Sequence, residues 1–300
     1  MHTVRTARLL SIWLVLSVCA GSPHAAGSAS AADVWTPLLD KSLSQWETYL
    51  SFRHTNGYSG KAPTDEKGRP IPPIGYNKDT AGVFTIVEEN GAPVLRVSGE
   101  VYGCLFTRQE FEDYHLRLKV KWGTRKWEPR VDLLKDSGLL YHSVGESGVD
   151  YWRSWMLSQE FQIMEGHMGD FWPQANSAID IRAFPREGNM SPVASEKQPF
   201  LPFGGGSPNG GFCMRSADHE SPNGEWTEIE LICFGDKSLH IVNGKVVMVL
   251  RSSRYMANGK ATPLTKGKLQ IQSEAAEVFF KEIAVRKLRE LPKEYASYFE

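Results

Sequence analysis

Residues 114–122 have the sequence YHLRLKVKW, in which apolar and polar side chains alternate without interruption. Five aromatic or aliphatic side chains fall on one face of an extended chain, and four polar ones fall on the other. Because successive side chains of a strand point to opposite faces, this period of two is typical of a strand with one face buried. The stretch therefore predicts a half-buried β-strand.

Short runs of the same kind recur along the chain, bounded by turn-forming residues. They occupy residues 83–88, 94–98, 103–107, 138–143, 159–164, 177–182, 226–234, 238–242, 245–250, 267–272 and 277–287. Asn243-Gly244 separates two of them and favours a tight hairpin, since a type I′ turn needs two positive φ values. No long stretch has a helical period of 3.6, so the pattern predicts an all-β, antiparallel β-sandwich. We expect residues 114–122, 138–143 and 159–164 to share one sheet.

Two segments interrupt the alternation. Residues 53–80 and 183–224 are polar and rich in glycine and proline. Loops of this length within a compact domain are commonly functional or disordered, and their aromatic residues argue against disorder. We therefore expect both to form long rim loops around one cleft.

Residues 1–31 have the organisation of a secretory signal peptide. Arg5 and Arg8 precede an apolar run at 9–20, and small residues follow up to Ala31. The run is shorter than the ~20 residues that a membrane-spanning helix needs, which argues against an anchor. We expect a protein that is secreted or periplasmic after cleavage, with a single β-sandwich domain over residues 32–300.

The composition narrows the range of partners. The chain has 34 Lys and Arg against 35 Asp and Glu, a formal net charge of −1. A surface so close to neutral has no electrostatic footprint for nucleic acid, whereas a neutral carbohydrate fits it. Cys104, Cys213 and Cys233 are widely spaced; they predict three buried thiols, although one disulfide with one free thiol remains an alternative.

The richest stretch for chemistry is residues 159–168, QEFQIMEGHM. On a strand, Glu160 and Gln162 point to one face while Phe161 and Ile163 point to the core. Glu165 would join the polar face only through a bulge near residues 163–164 or through the following turn. Two carboxyl groups in one site could then act as acid and base, whereas the simpler interpretation is a polar sheet face with solvated glutamates.

The surroundings of that strand favour a sugar-binding cleft. His142 ends a neighbouring predicted strand, and Trp172 lies beside Asp170 and Pro173 in a polar loop. Sugars stack their C–H faces on aromatic rings and form hydrogen bonds with carboxylates and amides. His142, His167 and Glu165 could alternatively bind a divalent metal ion, although their spacing matches no tight metal motif. Whether a cofactor is needed stays open.

Six groups of residues, in order, resemble the 3-keto-disaccharide hydrolase domain family. They are residues 35–40 with 44–46, 112–118, 136–140, 160–163, 224–230 with 242–245, and 269–274 with 278–283. The resemblance implies a concanavalin-A-like jelly roll and action on 3-keto-glycosides. It also implies elimination of the aglycone and hydration of the product, which together amount to glycoside hydrolysis.

That chemistry requires an acid, a base and a group that stabilises an enolate oxygen. The resemblance carries Glu160 and Gln162 over as the polar strand and Glu274 as a sugar-binding residue. Glu160, Glu165 and His142 are the candidates for acid and base, with Gln162, Trp172, Asp170 and Glu274 as substrate-binding candidates. We expect Glu160, Glu165 and His142 to project into one pocket.

Two other functions stay open at this point. A retaining glycosidase of the laminarinase type uses a Glu-x-Asp-x-(x)-Glu strand, which Glu160-x-Gln162-x-x-Glu165 nearly reproduces. The amide of Gln162 cannot supply the charge of the central aspartate. A carbohydrate-binding module without catalysis is the second alternative, because a fold does not fix a function.

Overall fold

A computed structural model describes residues 34–300 of the protein. These residues form eighteen strands: β1 (Thr36–Pro37), β2 (Trp46–Leu50), β3 (Gly75–Tyr76), β4 (Phe84–Glu89), β5 (Ala92–Val97), β6 (Gly103–Thr107), β7 (Tyr114–Lys126), β8 (Asp136–Val144), β9 (Leu157–Met164), β10 (Phe171–Gln174), β11 (Ser177–Arg182), β12 (Phe200–Gly204), β13 (Thr227–Phe234), β14 (Lys237–Val242), β15 (Lys245–Ala257), β16 (Lys260–Pro263), β17 (Lys268–Ser273) and β18 (Ala276–Lys287). A short helix, α1 (Lys293–Ala296), and a 3₁₀ turn at Ser297–Phe299 follow.

The strands form two antiparallel sheets. The larger has eleven strands, with the main order β12-β11-β15-β14-β13-β7-β18-β5-β4, while β1 pairs with β18 and β16 with β15. The smaller has seven strands in the order β10-β9-β8-β17-β6-β2-β3. The architecture is thus the all-β sandwich that the alternation predicted.

The main core lies between the two sheets. Leu118 and Val120 of β7 share one hydrophobic cluster with Leu139 of β8, Phe161 of β9 and Ile271 of β17. The alternate residues of β8, β9 and β17 consequently point to the outer face of the seven-stranded sheet. That outer face carries the polar residues discussed below.

The expected sharing of one sheet by residues 114–122, 138–143 and 159–164 is wrong. β7 pairs with β13 and β18 in the larger sheet, whereas β8 and β9 pair with each other in the smaller one. Alternation identifies the buried face of a strand, but a strand of either sheet buries one face in the same core. The pattern therefore does not say which sheet the strand joins.

Two local expectations, the hairpin turn and the buried thiols, are confirmed. Asn243 and Gly244 have φ values of 46° and 72° and connect the paired residues Val242 and Lys245, as a type I′ hairpin requires. Within the described residues, Cys104, Cys213 and Cys233 are all buried free thiols. Residues 34–300 include no helix that is both long and apolar enough to cross a membrane. The predicted signal peptide, residues 1–31, lies outside the described residues.

Candidate functional site

A cleft of about 530 Å³ opens on the outer face of the seven-stranded sheet. Its lining combines acidic, amide and aromatic side chains with a single arginine, Arg130. The acidic and amide groups are Asp136, Glu160, Gln162, Gln174, Gln272 and Glu274, and the aromatic ones are Tyr151, Trp152, Trp155 and Trp172. This composition is that of a site for a polar ligand with apolar faces.

Gly138 allows the floor of the cleft to form. It pairs with Gln162 in the ladder between β8 and β9. A Cβ atom at position 138 would lie 2.4 Å from Oε1 of Glu160 and 2.5 Å from Oε1 of Gln272. These two side chains, from strands on either side of β8, therefore reach over the glycine from opposite directions, and any larger residue would displace them.

Arg130 is shared by two acidic side chains of the floor. Its Nη2 donates to Oε1 of Glu274 at 2.8 Å and also contacts Oδ2 of Asp136. Nε2 of Gln162 donates to the other oxygen of Asp136 at 3.0 Å. Burial raises the pKa of Asp136 well above its usual range, neighbouring Glu274 raises it further, and Arg130 opposes the rise.

Glu160 is the third acidic side chain, and its surroundings differ. It is only 2 % exposed, and Nε2 of Gln174 donates to its Oε2. Within residues 34–300, no lysine, arginine or histidine forms an ion pair with it. Burial raises the pKa of Glu160 well above the usual 4.5, and the charges of Glu274 and Asp136 raise it further. The cleft therefore favours the protonated form of Glu160.

Aromatic rings form the walls of the cleft. Trp172 is 42 % exposed, and its ring centroid lies 4.6 Å from that of Phe212, in the long segment 183–224. Trp152 stacks on Tyr58, in the segment 53–80, with centroids 4.7 Å apart and planes 13° from parallel. Both long loops thus contact cleft-lining aromatic residues, which confirms their predicted place at the rim.

A buried aspartate holds one of these walls. The carboxylate of Asp150 accepts hydrogen bonds from the backbone N–H of Trp152 at 2.6 Å, of Ser154 at 3.1 Å and of Trp155. Burial raises the pKa of Asp150 to about 6, against the lowering effect of these backbone donors. The side chain fixes the turn from which Trp152 and Trp155 extend.

Glu165 does not enter the cleft. β9 runs with regular pairing up to Met164, so the expected bulge at residues 163–164 is absent. Nδ2 of Asn223 donates to Oε1 of Glu165 at 2.6 Å, and Nζ of Lys135 lies 3.4 Å from the same oxygen. The expectation that Glu160 and Glu165 project into one pocket is therefore wrong in its geometry.

His142 lies inside the sandwich rather than in the cleft. It is 1 % exposed, and its ring centroid is 5.8 Å from that of Tyr114 on the opposite sheet. A register shift between Tyr141 and Val144 and a φ of 53° turn its side chain inward. Burial lowers the pKa of His142 to about 4, which keeps the ring neutral. Its predicted place beside Glu160 is wrong.

Asp170 and His167 form a separate group, in which Asp170 is buried and His167 is partly exposed. Oδ1 of Asp170 accepts from the backbone N–H of Arg215 at 2.8 Å and from its guanidinium at 3.2 Å, and Nδ1 of His167 lies 3.0 Å from Oδ2. Asp170 thus holds the end of the cleft wall and does not line the cleft itself. Throughout residues 34–300, no three His, Cys, Asp or Glu side chains are grouped as a metal site would require, so His142, His167 and Glu165 are not brought together.

The structure thus brings Glu160, Gln162, Trp172 and Glu274 together, and it adds residues that the sequence did not single out. Arg130, Asp136, Gln174 and Gln272 are the polar additions. The only signal for them lay in the groups 136–140 and 269–274, which were noted for resemblance and not for chemistry. Arg130 lies in a loop with no motif.

The fold is a β-sandwich, and its cleft has the polar and aromatic lining of a carbohydrate-related protein. The chain belongs to the 3-keto-alpha-glucoside-1,2-lyase-like domain family, whose profile matches residues 34–286. This membership confirms the resemblance seen in the sequence. No curated protein sequence matches the chain.

Several solved structures resemble the chain at low identity. One is a candidate glycosyl hydrolase from Parabacteroides distasonis, with 17% identity and a TM-score of 0.45 over 85% of this chain and all of the other. A protein of unknown function with a galectin-like fold from Bacillus subtilis has 14% identity and a TM-score of 0.38, covering 86% and 96%. The carbohydrate-binding module CBM66 from the same species has 10% identity and a TM-score of 0.36, covering 68% and 92%. Resemblances at this level carry no information about activity.

Proposed function

We propose that the protein cleaves 3-keto-glycosides by eliminating the aglycone and then hydrating the product. The observation that carries the proposal is that three acidic side chains lie in one cleft with aromatic walls but differ in their contact with a cation. Arg130 is bonded to Asp136 and Glu274, whereas no lysine, arginine or histidine of residues 34–300 forms an ion pair with Glu160. Environments that separate the pKa values of neighbouring carboxyl groups assign acid and base roles to them.

The proposed reaction needs one acid and one base. The C3 ketone makes the C2 proton acidic, and a carboxylate removes it, so that the C2–H electron pair forms an enolate with its charge on O3. The enolate then collapses: the C3=O bond forms again, a C1=C2 double bond appears, and the C1–O bond breaks. The aglycone oxygen takes the bond pair and a proton from an acid. Water then adds across the double bond, with OH on C1 and H on C2.

The environments of Glu160 and Glu274 match the roles of acid and base. Glu160, held protonated by burial and by neighbouring negative charge, donates the proton to the leaving oxygen. Burial also raises the pKa of Glu274, but Arg130 opposes the rise and favours its carboxylate form. Glu274 is therefore the base at C2.

The arrangement argues against a retaining glycosidase that uses Glu160 and Glu165. Such an enzyme needs two carboxyl groups about 5–5.5 Å apart on either side of one glycosidic bond. Glu165 is bonded instead to Asn223 and Lys135, outside the cleft lining. Glu160 has no partner of that kind along its own strand.

Trp172 and Trp152 supply the apolar contacts of the proposed site. Their rings stand at the cleft with Phe212 and Tyr58 packed against them, which fixes their orientation. A sugar ring presents C–H groups on its faces and hydroxyl groups at its edge, so it would stack on an aromatic wall while reaching the polar floor. We further propose that the activity lies outside the cytoplasm, on the expectation that residues 1–31 act as a signal peptide.

A comparison of two substrates tests the proposal. The purified protein is incubated with p-nitrophenyl 3-keto-β-glucoside and with the parent p-nitrophenyl β-glucoside, each with and without a chelator. We expect nitrophenol only from the keto compound, because only its C2 proton is acidic. Equal release from both would indicate a glycosidase, and binding of either without release would indicate a binding module. Loss of activity with chelator alone would assign a metal ion to the reaction.

A further inference from the structure

Gln272 has an unpaired side-chain amide at the floor of the cleft. It is 1 % exposed, yet neither Nε2 nor Oε1 has a hydrogen-bond partner among residues 34–300. The side chain lines the cleft, and its Oε1 reaches over Gly138 toward Glu160. Because nearly all buried polar atoms in proteins are paired, an amide with both atoms unpaired indicates that its partner comes from a ligand.

The next amide on the same strand differs in this respect. Gln270 is also fully buried, but its Nε2 donates to Oγ of Ser143 at 2.7 Å, and its Oε1 accepts from the backbone N–H of Met156 at 3.3 Å. Gln270 does not line the cleft, whereas Gln272 does. Gln270 therefore has a structural role, whereas Gln272, two positions further along the same strand, faces the cleft.

We propose that the Gln272 amide donates a hydrogen bond to the ketone oxygen O3 of the substrate and stabilises the enolate that forms there. This inference rests on the proposed function. Whichever way the amide is turned, it offers an NH2 group with two N–H donors and one oxygen: one N–H donates to O3, and the oxygen accepts from a neighbouring sugar hydroxyl. When the C2–H pair moves into the enolate and the proton passes to Glu274, the negative charge on O3 strengthens the bond from the N–H group.

A bond that strengthens as charge develops acts on the chemical step more than on binding. Removing one donor of this type from an enzyme commonly lowers kcat about 10²–10³-fold. The same bond to an uncharged ketone in the ground state is weaker, so its loss changes KM little. Gln272 should therefore affect kcat far more than KM.

The test compares Gln272→Met with Gln270→Met, the matched control on the same strand. Methionine has nearly the volume of glutamine but cannot form its hydrogen bonds. For the Gln272 variant we expect kcat on p-nitrophenyl 3-keto-β-glucoside to fall about 10²–10³-fold, with the urea unfolding midpoint unchanged or raised. For the Gln270 variant we expect a lower midpoint and a kcat within about threefold of the wild type, because two internal hydrogen bonds are lost outside the cleft.

Gln272→Glu adds a second variant. It keeps an acceptor, loses the donor and places negative charge near O3, so its kcat should fall at least as far as that of Gln272→Met. A Gln272→Met protein with wild-type kcat, or one destabilised as much as Gln270→Met, overturns the assignment and leaves the proposed function standing. A wild-type protein that cannot cleave 3-keto-glycosides overturns both.

Discussion

Nη2 of Arg130 lies 2.8 Å from Oε1 of Glu274, although 144 residues separate the two in sequence. The same nitrogen also contacts Asp136, so a single cation is shared by two buried carboxyl groups. The third carboxyl of the cleft, Glu160, is excluded from this arrangement. One arginine thus creates the difference between the acidic side chains on which the proposed chemistry depends.

Arg130→Met is expected to destabilise the fold strongly. It leaves Asp136 and Glu274 buried without their cation, and the loss of one partner from a buried ion pair costs about 3–5 kcal/mol. The free energy of unfolding from urea denaturation measures the effect. Arg130→Met combined with Glu274→Gln should recover part of the loss, because one of the two acidic groups left without their cation is removed. Equal stability of the single variant and the wild type would show that Arg130 does not neutralise the pair.

Glu160→Gln is expected to lower kcat on a 3-keto-glucoside about 10²–10⁴-fold, because an amide cannot donate a proton to the leaving oxygen. Glu165→Gln is the matched control, since it makes the same chemical change just beyond the end of the same strand. Its rate should stay within about threefold of the wild type, because Glu165 is bonded to Asn223 and Lys135 outside the cleft lining. The opposite ranking of the two variants would place the acid at Glu165.

The raised pKa of Glu160 predicts a pH-dependent difference in stability between the wild type and Glu160→Gln. Above pH 4.5, the unfolded chain releases this proton while the folded protein retains it. The unfolded state then binds fewer protons, so the stability that Glu160 contributes is fully present below pH 4.5 and is lost as pH rises through the folded pKa. The loss relative to Glu160→Gln should approach about 1.4 kcal/mol per pH unit over that window.

Urea denaturation of both proteins between pH 4 and pH 8 measures this difference. The comparison with the Gln variant cancels the titration of groups that both proteins share. A constant difference across the range would show that Glu160 has an ordinary pKa. In that case it could not be the protonated acid at neutral pH.

His142→Asn tests whether His142 has any part in the reaction. Asparagine tolerates the positive φ of 53° at this position, so the backbone conformation is preserved. We expect kcat/KM within about threefold of the wild type, together with a loss of about 1–2 kcal/mol of stability from the smaller side chain in the core. A fall in kcat/KM of a hundredfold or more in a folded variant would contradict the position of His142 inside the sandwich.

The local features of the fold were predictable because local rules govern them. The alternation at residues 114–122 indicated a strand, and Asn243-Gly244 indicated a type I′ hairpin, since only nearby backbone and side-chain preferences were involved. The parity of Glu160 and Phe161 likewise separated the polar face of β9 from its core face. The expectations for Glu165 and His142 failed where a strand ended or a bulge reversed the parity.

The sequence by itself therefore determined the class of fold, the positions of most strands and the face on which Glu160 and Gln162 lie. Only the tertiary structure decided which sheet each strand joined and which charges met in the cleft. Arg130 comes from a loop, Glu160 from β9, and Gln272 and Glu274 from β17 and its end, so long-range pairing of β8 with both strands brings them together. The pKa of Glu160 depends on burial and on those distant charges, and alternation along a single strand carries no information about either.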